Sequence, residues 1–263
     1  MGQVPENSTF VLSARVKYLI IGSGRVARHF ENYFTFESIP FSRWSRSDTS
    51  GLTGLKELLE SATHVLLLIS DSAIDTFYRE HETLLAPKTC VHFSGALVSS
   101  LVPSAHPLMT FSHSLYDRET YLRLPFVLEE GRGSMATLLP GLTNPSLSIR
   151  PDLKGRYHAF CVMSGNFTTL LWEKTFREFE ETLGLPRQIL LPYLLQVTEN
   201  LALSKPGSSV LTGPLTRGDE ATIKKNLAEL KDDPFAQVYL AFARAHKEEA
   251  RHEIGTRLPE NEV

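Results

Sequence analysis

Val16-Lys17-Tyr18-Leu19-Ile20-Ile21 runs directly into Gly22-Ser23-Gly24-Arg25-Val26-Ala27, after which Val26, Phe30 and Phe34 recur at helical spacing. The order predicts a buried strand, a tight glycine turn and a helix. In Gly22-x-Gly24-x-x-Ala27 the first glycine permits the turn, the second lets a pyrophosphate approach the backbone, and Ala27 lets helix and strand pack closely. Free N–H groups at the start of that helix complete a phosphate cradle, which makes Gly22, Ser23, Gly24, Arg25 and Val26 candidate binding residues. An ordinary glycine turn shares the spacing, so it is the position between a strand and a helix that favours a nucleotide.

Outward from this turn the strand–helix pattern repeats. Ile39 to Trp44 is short and runs from apolar to polar, and Leu55, Leu58 and Leu59 share one helical face between Leu52 and Ser61. His64-Val65-Leu66-Leu67-Leu68-Ile69 has the composition of a central parallel strand, with Ser70 as a helix cap after it. Thr89 to Phe93 is a further strand ending in Ser94-Gly95, and Arg123 to Glu129 and Leu147 to Arg150 can add late strands. Ligands of an open α/β sheet sit at the carboxyl ends of its strands, so Ile69, Ser70, Asp71, Ser94 and Gly95 are further cofactor-binding candidates. Roughly 20 residues beyond the glycine turn, where a carboxylate would hold a ribose 2′-hydroxyl, the chain instead has Arg43-Trp44-Ser45-Arg46-Ser47, with no acid before Asp48. Two guanidiniums and the hydroxyls of Ser45 and Ser47 suit a 2′-phosphate, favouring NADPH over NADH, unless Arg43 and Arg46 are only solvated charges.

After Pro151 long helical patterns dominate, among them Tyr157 to Leu183, closed by Gly184, and a last helix opened by Asp233-Pro234 with Phe235, Val238, Tyr239 and Phe242 as its apolar stripe. The expected architecture is an N-terminal tail over 1–14, a doubly wound α/β domain over 15–150 and an all-α domain over 151–263. The 263 residues carry 27 Lys and Arg against 30 Asp and Glu, a formal net charge of −3, so no basic field exists to hold a nucleic acid. Cys90 and Cys161 stand far apart without flanking histidines at ligand spacing, giving no metal site and no disulfide framework. The longest apolar run, Val65 to Ile69, is too short to span a bilayer, and the first residues lack a secretory pattern; a cytoplasmic protein is expected.

In the helical half, His158, Val162 and Asn166 lie four residues apart on one face. A polar pair there either forms a buried network or faces a ligand. Asn200, in Thr198-Glu199-Asn200, and Arg217, in the turn-rich Leu211 to Asp219, are the remaining polar candidates; Arg217 can clamp a carboxylate or bridge to Asp219. His92 and His106 fall near the strand ends, where they could face a nicotinamide.

Ile-Gly-Ser-Gly-Arg-Val-Ala at 21–27, Ser-Arg-Ser at 45–47, His-Phe-Ser-Gly-Ala at 92–96, His-Pro-Leu-Met-Thr-Phe at 106–111, Tyr-His-Ala at 157–159, Ser-Gly-Asn at 164–166 and Leu-Thr-Gly-Pro-Leu-Thr-Arg-Gly-Asp at 211–219 together resemble one family. It is that of Rossmann-like oxidoreductases joined to domain of unknown function 2520, similar in architecture to 6-phosphogluconate dehydrogenase, ketopantoate reductase and pyrroline-5-carboxylate reductase. The resemblance implies NADPH as cofactor, a homodimer formed through the helical domain, and reduction of a small carboxylate substrate, a keto acid such as 2-ketopantoate or an imino acid. The better-known relatives carry Lys-x-x-Asn on the first long helix of the second domain. If Asn166 is their Asn, the lysine position falls at apolar Val162 or Met163, and Lys154 comes two to three turns too early. His158 is then the expected proton donor, with Asn166 and Asn200 orienting substrate and Arg217 holding its carboxylate. Asn226 stands where the family pattern has His. The missing lysine also motivates an alternative, a non-catalytic NADP(H)-binding redox sensor.

Overall fold

The computed structural model describes residues 16–47, 51–206 and 208–257, the last seven by backbone alone. The expected tail over 1–14 lies outside the described residues. Four strands, β1 (Tyr18–Ile21), β2 (Phe41–Trp44), β3 (His64–Leu67) and β4 (Thr89–His92), form a parallel sheet in the order β2-β1-β3-β4. Ile21 stands opposite both Trp44 and Leu67, so the three strand ends are level beside the glycine turn.

Consecutive side chains of a strand point to opposite faces, and both faces of β1 are buried. Tyr18 and Ile20 enter one core with Phe30, Tyr33 and Phe34 of α1 (Arg25–Phe36). Leu19 and Ile21 enter the other with Leu55 and Leu59 of α2 (Gly51–Ser61) and Ile74 of α3 (Asp71–Glu80). Ser70 occupies the cap position of α3 in extended backbone, but its side chain makes no capping bond. The chain then passes through the short helix α4 (Glu82–Leu85) into β4.

A bridge between His92 and Ser104 joins this sheet to a second one, β5 (Ala105–Pro107), β6 (Phe126–Glu129) and β7 (Ser146–Ile149). There β5 and β6 are antiparallel, while β6 and β7 are parallel. The two late strands are where the sequence places them, whereas β5, only three residues long, carries no legible period. Polar side chains fix the intervening segments, which include α5 (Arg118–Leu122) and α6 (Met135–Leu138). The Tyr33 hydroxyl donates to Asn144 Oδ1 at 2.7 Å, and Asn144 Nδ2 donates to the carbonyls of Tyr121 and Leu124 at 2.7 and 2.9 Å.

The expected helix from Tyr157 begins earlier and is not uniform. A single 3-10 turn (Pro151–Leu153) leads into α7 (Lys154–Cys161), the turn Val162–Phe167 is π-helical, and α8 (Thr168–Glu181) resumes the α geometry. Ser164 and Gly165 are weak helix formers, and the Ser164 and Thr169 hydroxyls donate back to the carbonyls of Phe160 and Gly165 at 2.8 and 2.9 Å. Such wide turns are frequent at functional sites. Gly184, at φ +63°, closes the helix, with Leu185 N–H donating to Phe179 O at 2.7 Å.

The chain divides into two compact units between Thr175 and Phe176. This is later than the composition change at 151, because buried Lys154 bonds α7 into the sheet unit through β6, as described below. The second unit holds α9 (Leu191–Leu203), α10 (Pro214–Arg217), α11 (Glu220–Glu229) and α12 (Phe235–Arg257). Its last helix starts after Asp233-Pro234 as expected, Asp233 Oδ1 accepting from Phe235 N–H at 2.8 Å. None of α9, α10 and α11 buries a residue among those described.

Candidate active site

A cleft of about 870 Å³ opens at the carboxyl ends of β1, β2 and β3. Gly22, Ser23 and Gly24 line one side, Ser45, Arg46 and Ser47 another, and Ile69 and Ser70 the floor. Gly22 has φ +135°, and a Cβ there would lie 2.2 Å from the carbonyl oxygen of Leu68, so only glycine fits. A Cβ on Gly24 would meet nothing within 4 Å, which leaves the start of α1 open to a ligand. The Ser45 and Ser47 hydroxyls are 2.9 Å apart. Of the two guanidiniums only Arg46 reaches the cleft, since Arg43 turns to Glu31 of α1 at 3.8 Å. Helix N–H groups, a turn with glycine at both ends and a serine–arginine–serine rim suit a dinucleotide carrying a 2′-phosphate.

Asp71 and Ser94 serve each other: the Ser94 hydroxyl donates to Asp71 Oδ2 at 2.6 Å and accepts from the N–H groups of Ala96 and Leu97. This ties the start of α3 to the end of β4 and sets the path of Gly95. Arg25 and Val26 are absent from that cleft and line a second pocket of about 410 Å³ with Met109, Thr110, Asn166 and Glu173. Met109, Thr110 and Asn166 also line the next pocket, about 380 Å³, whose far wall is His106, His158, Cys161 and Val162. The π-helical turn presents Ser164, Gly165 and Asn166 to this space. His158 and Asn166, paired on the sequence by helical spacing, therefore share one pocket.

Gly95 is where β4 meets that pocket. A Cβ on it would lie 2.2 Å from His158 Nδ1 and 2.9 Å from His106 Nε2, so two imidazoles converge on one glycine. The rings are perpendicular, with centroids 5.5 Å apart. His106 Nδ1 is 2.7 Å from the Tyr157 hydroxyl, while His158 Nδ1 is buried without a hydrogen-bond partner. Burial, then the neighbouring His158 and Lys154, pushes the His106 pKa down to about 4. Burial likewise raises the Tyr157 hydroxyl above the usual phenol range.

Behind the pocket lies an ion pair. Lys154, 1% exposed, sits 2.8 Å from Glu129 Oε1, and its ammonium also donates to Ser104 Oγ and to the Leu97 carbonyl. Burial holds its pKa below the ordinary lysine value, opposed by Glu129. Arg132 meets the other carboxylate oxygen at 3.1 Å. His92, fully buried beside this pair, is lowered to about 4 by burial and by Lys154; its Nδ1 accepts from Ser94 N–H at 3.3 Å.

The remaining predicted site residues belong to the second unit. Asn200 Oδ1 accepts from Gln196 Nε2 at 2.9 Å on α9. Arg217 ends α10, and Asp219 accepts from the N–H and hydroxyl of Thr222 at 3.0 and 2.8 Å as the cap of α11. Asn226 donates to the Tyr239 hydroxyl at 3.1 Å, linking α11 to α12.

Sequence reasoning passed over Lys154, as too early for a catalytic lysine, and gave no role to Tyr157. Helical spacing contained the signal for both, since 154, 157 and 158 occupy one stretch of helix; what it lacked was the strand each one meets.

Residues 128–246 match the domain of unknown function DUF2520. That segment opens in β6 and reaches into α12, so it contains Glu129, Lys154, Tyr157, His158 and Asn166. No curated protein matches the chain by sequence. Among solved structures, a Bacteroides fragilis protein assigned as an NADP oxidoreductase is similar over 89% of this chain and 98% of its own, at 20% identity and TM-score 0.68. An imine reductase from Streptomyces aurantiacus matches over 90% and 95%, at 13% identity and TM-score 0.59. Pyrroline carboxylate reductase of Plasmodium falciparum, solved with NADP bound, matches over 90% and 98%, at 11% identity and TM-score 0.57. At these identities the likeness establishes the fold: a Rossmann-type domain followed by a helical region, as the sequence motifs imply.

Proposed function

We propose that the protein is an NADPH-dependent reductase of a small carboxylate-bearing ketone or imine. The observation that carries this reading is the succession of linings: the turn at Gly22–Gly24 lines the large cleft, and the next residues, Arg25 and Val26, line a pocket that shares Met109, Thr110 and Asn166 with the pocket of His158 and His106. A bound nicotinamide supplies hydride to the carbon of a C=O or C=N group. The chain's own residues do the rest. Gly22, Ser23 and Gly24 receive the pyrophosphate at the start of α1, and Ser45, Arg46 and Ser47 hold the 2′-phosphate. Gly95, by lacking a side chain, lets His158 and His106 close on the end of β4. His158 delivers a proton to the oxygen or nitrogen that gains electron density, and Asn166 orients the substrate. Asn200 and Arg217 are assigned to substrate orientation and to its carboxylate. Among substrates, 2-ketopantoate and cyclic imino acids fit the sequence resemblance; the imine and pyrroline carboxylate reductases among similar folds favour the imine side.

A second copy of the chain is the partner assigned to the helical unit. Tyr193, Leu195, Leu201 and Leu203 of α9 are 58–76% exposed, an apolar density that a water-facing helix does not sustain. Light scattering after gel filtration should give a dimer, and Leu195→Glu should shift it to monomer.

The deciding experiment follows NADPH consumption with a panel of 2-keto acids and cyclic imines, while cofactor fluorescence reports binding on the same sample. Turnover with one member establishes a reductase. Tight binding without turnover favours a redox sensor, and failure to bind NADPH removes the proposal.

A further inference from the structure

Resting on the reductase reading, the geometry points to His106 as a second hydrogen-bond donor to the reducible group, presented by its Nε2–H and held in that tautomer by the Tyr157 hydroxyl. Three observations meet in this assignment. His106 lines the same pocket as His158 and Asn166, from the strand β5 rather than from the helix that carries them. Its two nitrogens have different surroundings: Nδ1 faces the Tyr157 hydroxyl at 2.7 Å, and Nε2 faces the side-chain-free backbone of Gly95. Tyr157 and His158 are adjacent on α7, so one helix turn both backs one imidazole and supplies the other.

The direction of the Tyr157–His106 bond decides what reaches the pocket. A hydroxyl donating to Nδ1 leaves the ring proton on Nε2, toward the substrate; a hydroxyl accepting from Nδ1 would leave Nε2 a bare acceptor, unable to stabilise a developing oxyanion. Groups facing His106 come from each packed element: Tyr157, His158 and Lys154 on α7, and Asp71 at the start of α3. Burial, His158 and Lys154 outweigh Asp71, which favours the charged ring, and keep the imidazole neutral at neutral pH. A neutral imidazole can polarise a C=O or C=N bond without giving up its proton. The labour then divides: His106 polarises, His158 delivers the proton, and each reduction consumes one hydride and one proton.

Ring ¹H–¹⁵N spectra of ¹⁵N-histidine-labelled full-length protein with NADP⁺, assigned by loss of the His106 signal in His106→Gln, test this directly. The expected result is an Nε2–H tautomer from pH 5 to 8, which becomes a mixture in Tyr157→Phe. With whichever panel substrate turns over, Tyr157→Phe should lower kcat by about 10- to 100-fold, with KM and NADPH affinity within about threefold. His106→Gln, which keeps a neutral donor near the Nε2 position, should retain more activity than His106→Leu. An Nδ1–H tautomer in the unaltered protein, or a Tyr157→Phe variant with full kcat, overturns the assignment. Absence of turnover by the unaltered protein overturns the reductase reading instead, and the spectra still decide which nitrogen His106 presents.

Discussion

Replacing Gly95 by alanine adds one methyl group where two histidines meet. The new Cβ would sit 2.2 Å from His158 Nδ1 and 2.9 Å from His106 Nε2. A carbon–nitrogen contact relaxes at about 3.4 Å, so His158 must retreat by roughly 1 Å. His106 has little freedom to share the movement, because Tyr157 holds its Nδ1 at 2.7 Å. His158 is half-buried and can swing into the pocket, which limits the loss of stability to about 1–2 kcal/mol, the cost of a modest overpacking. Activity should suffer far more, by about 100-fold in kcat/KM, since an error of 1 Å in a reacting group can cost that much. Gly95 is no part of the phosphate cradle, so NADPH affinity should change by less than about threefold. The assays are NADPH turnover, fluorescence titration of NADPH and thermal melting on one preparation. Full turnover by Gly95→Ala with an unaltered melting temperature would refute the convergence of the two imidazoles on this backbone.

Arg46→Glu should weaken NADPH binding by about 10- to 100-fold and leave NADH nearly unchanged, measured by fluorescence titration with both cofactors; equal loss for both would remove Arg46 from the 2′-phosphate. Acid should weaken the fold through His92 and His106, whose folded pKa values of about 4 lie below the unfolded value near 6.5. Depressed basic groups contribute stability fully above pH 6.5 and lose it as pH falls toward 4. The loss approaches about 3 kcal/mol per ring, visible as a falling denaturation midpoint between pH 7.5 and 4.5. An unchanged midpoint over that range would contradict the burial of both rings. Lys154→Met leaves the buried Glu129 carboxylate with Arg132 as its remaining cation and should cost about 3 kcal/mol in urea denaturation, most of it recovered in Lys154→Met/Glu129→Leu. No recovery in the double variant would mean that Lys154 acts chiefly through Leu97 and Ser104.

How legible each part was follows from how local its physics is. Strand β1, the glycine turn and α1 were readable because a glycine position that excludes a side chain, an apolar run and a helical period are all written within about twenty residues. The Ser45-Arg46-Ser47 rim was readable as well, since it lies one strand further on at a fixed distance in the pattern. By contrast, the sequence marked Arg43 and Arg46 alike; only the structure turns Arg43 back to Glu31. The π-helical turn shows the same limit. Ser164-Gly165-Asn166 signals weak helix, but which way the backbone relaxes depends on what packs against it.

What the sequence determined by itself is the fold class and the glycine turn from strand to helix, because both depend on residues close together along the chain. The tertiary structure decided which distant residues meet. Tyr157 faces His106 across 51 positions, Lys154 reaches Glu129 across 25, and Gly95 lies against His158. None of these contacts has a period or a spacing. They exist because β4 and β6 end where β5 begins and α7 packs against that point, so the placement of whole elements, rather than any local preference, assembles the chemistry.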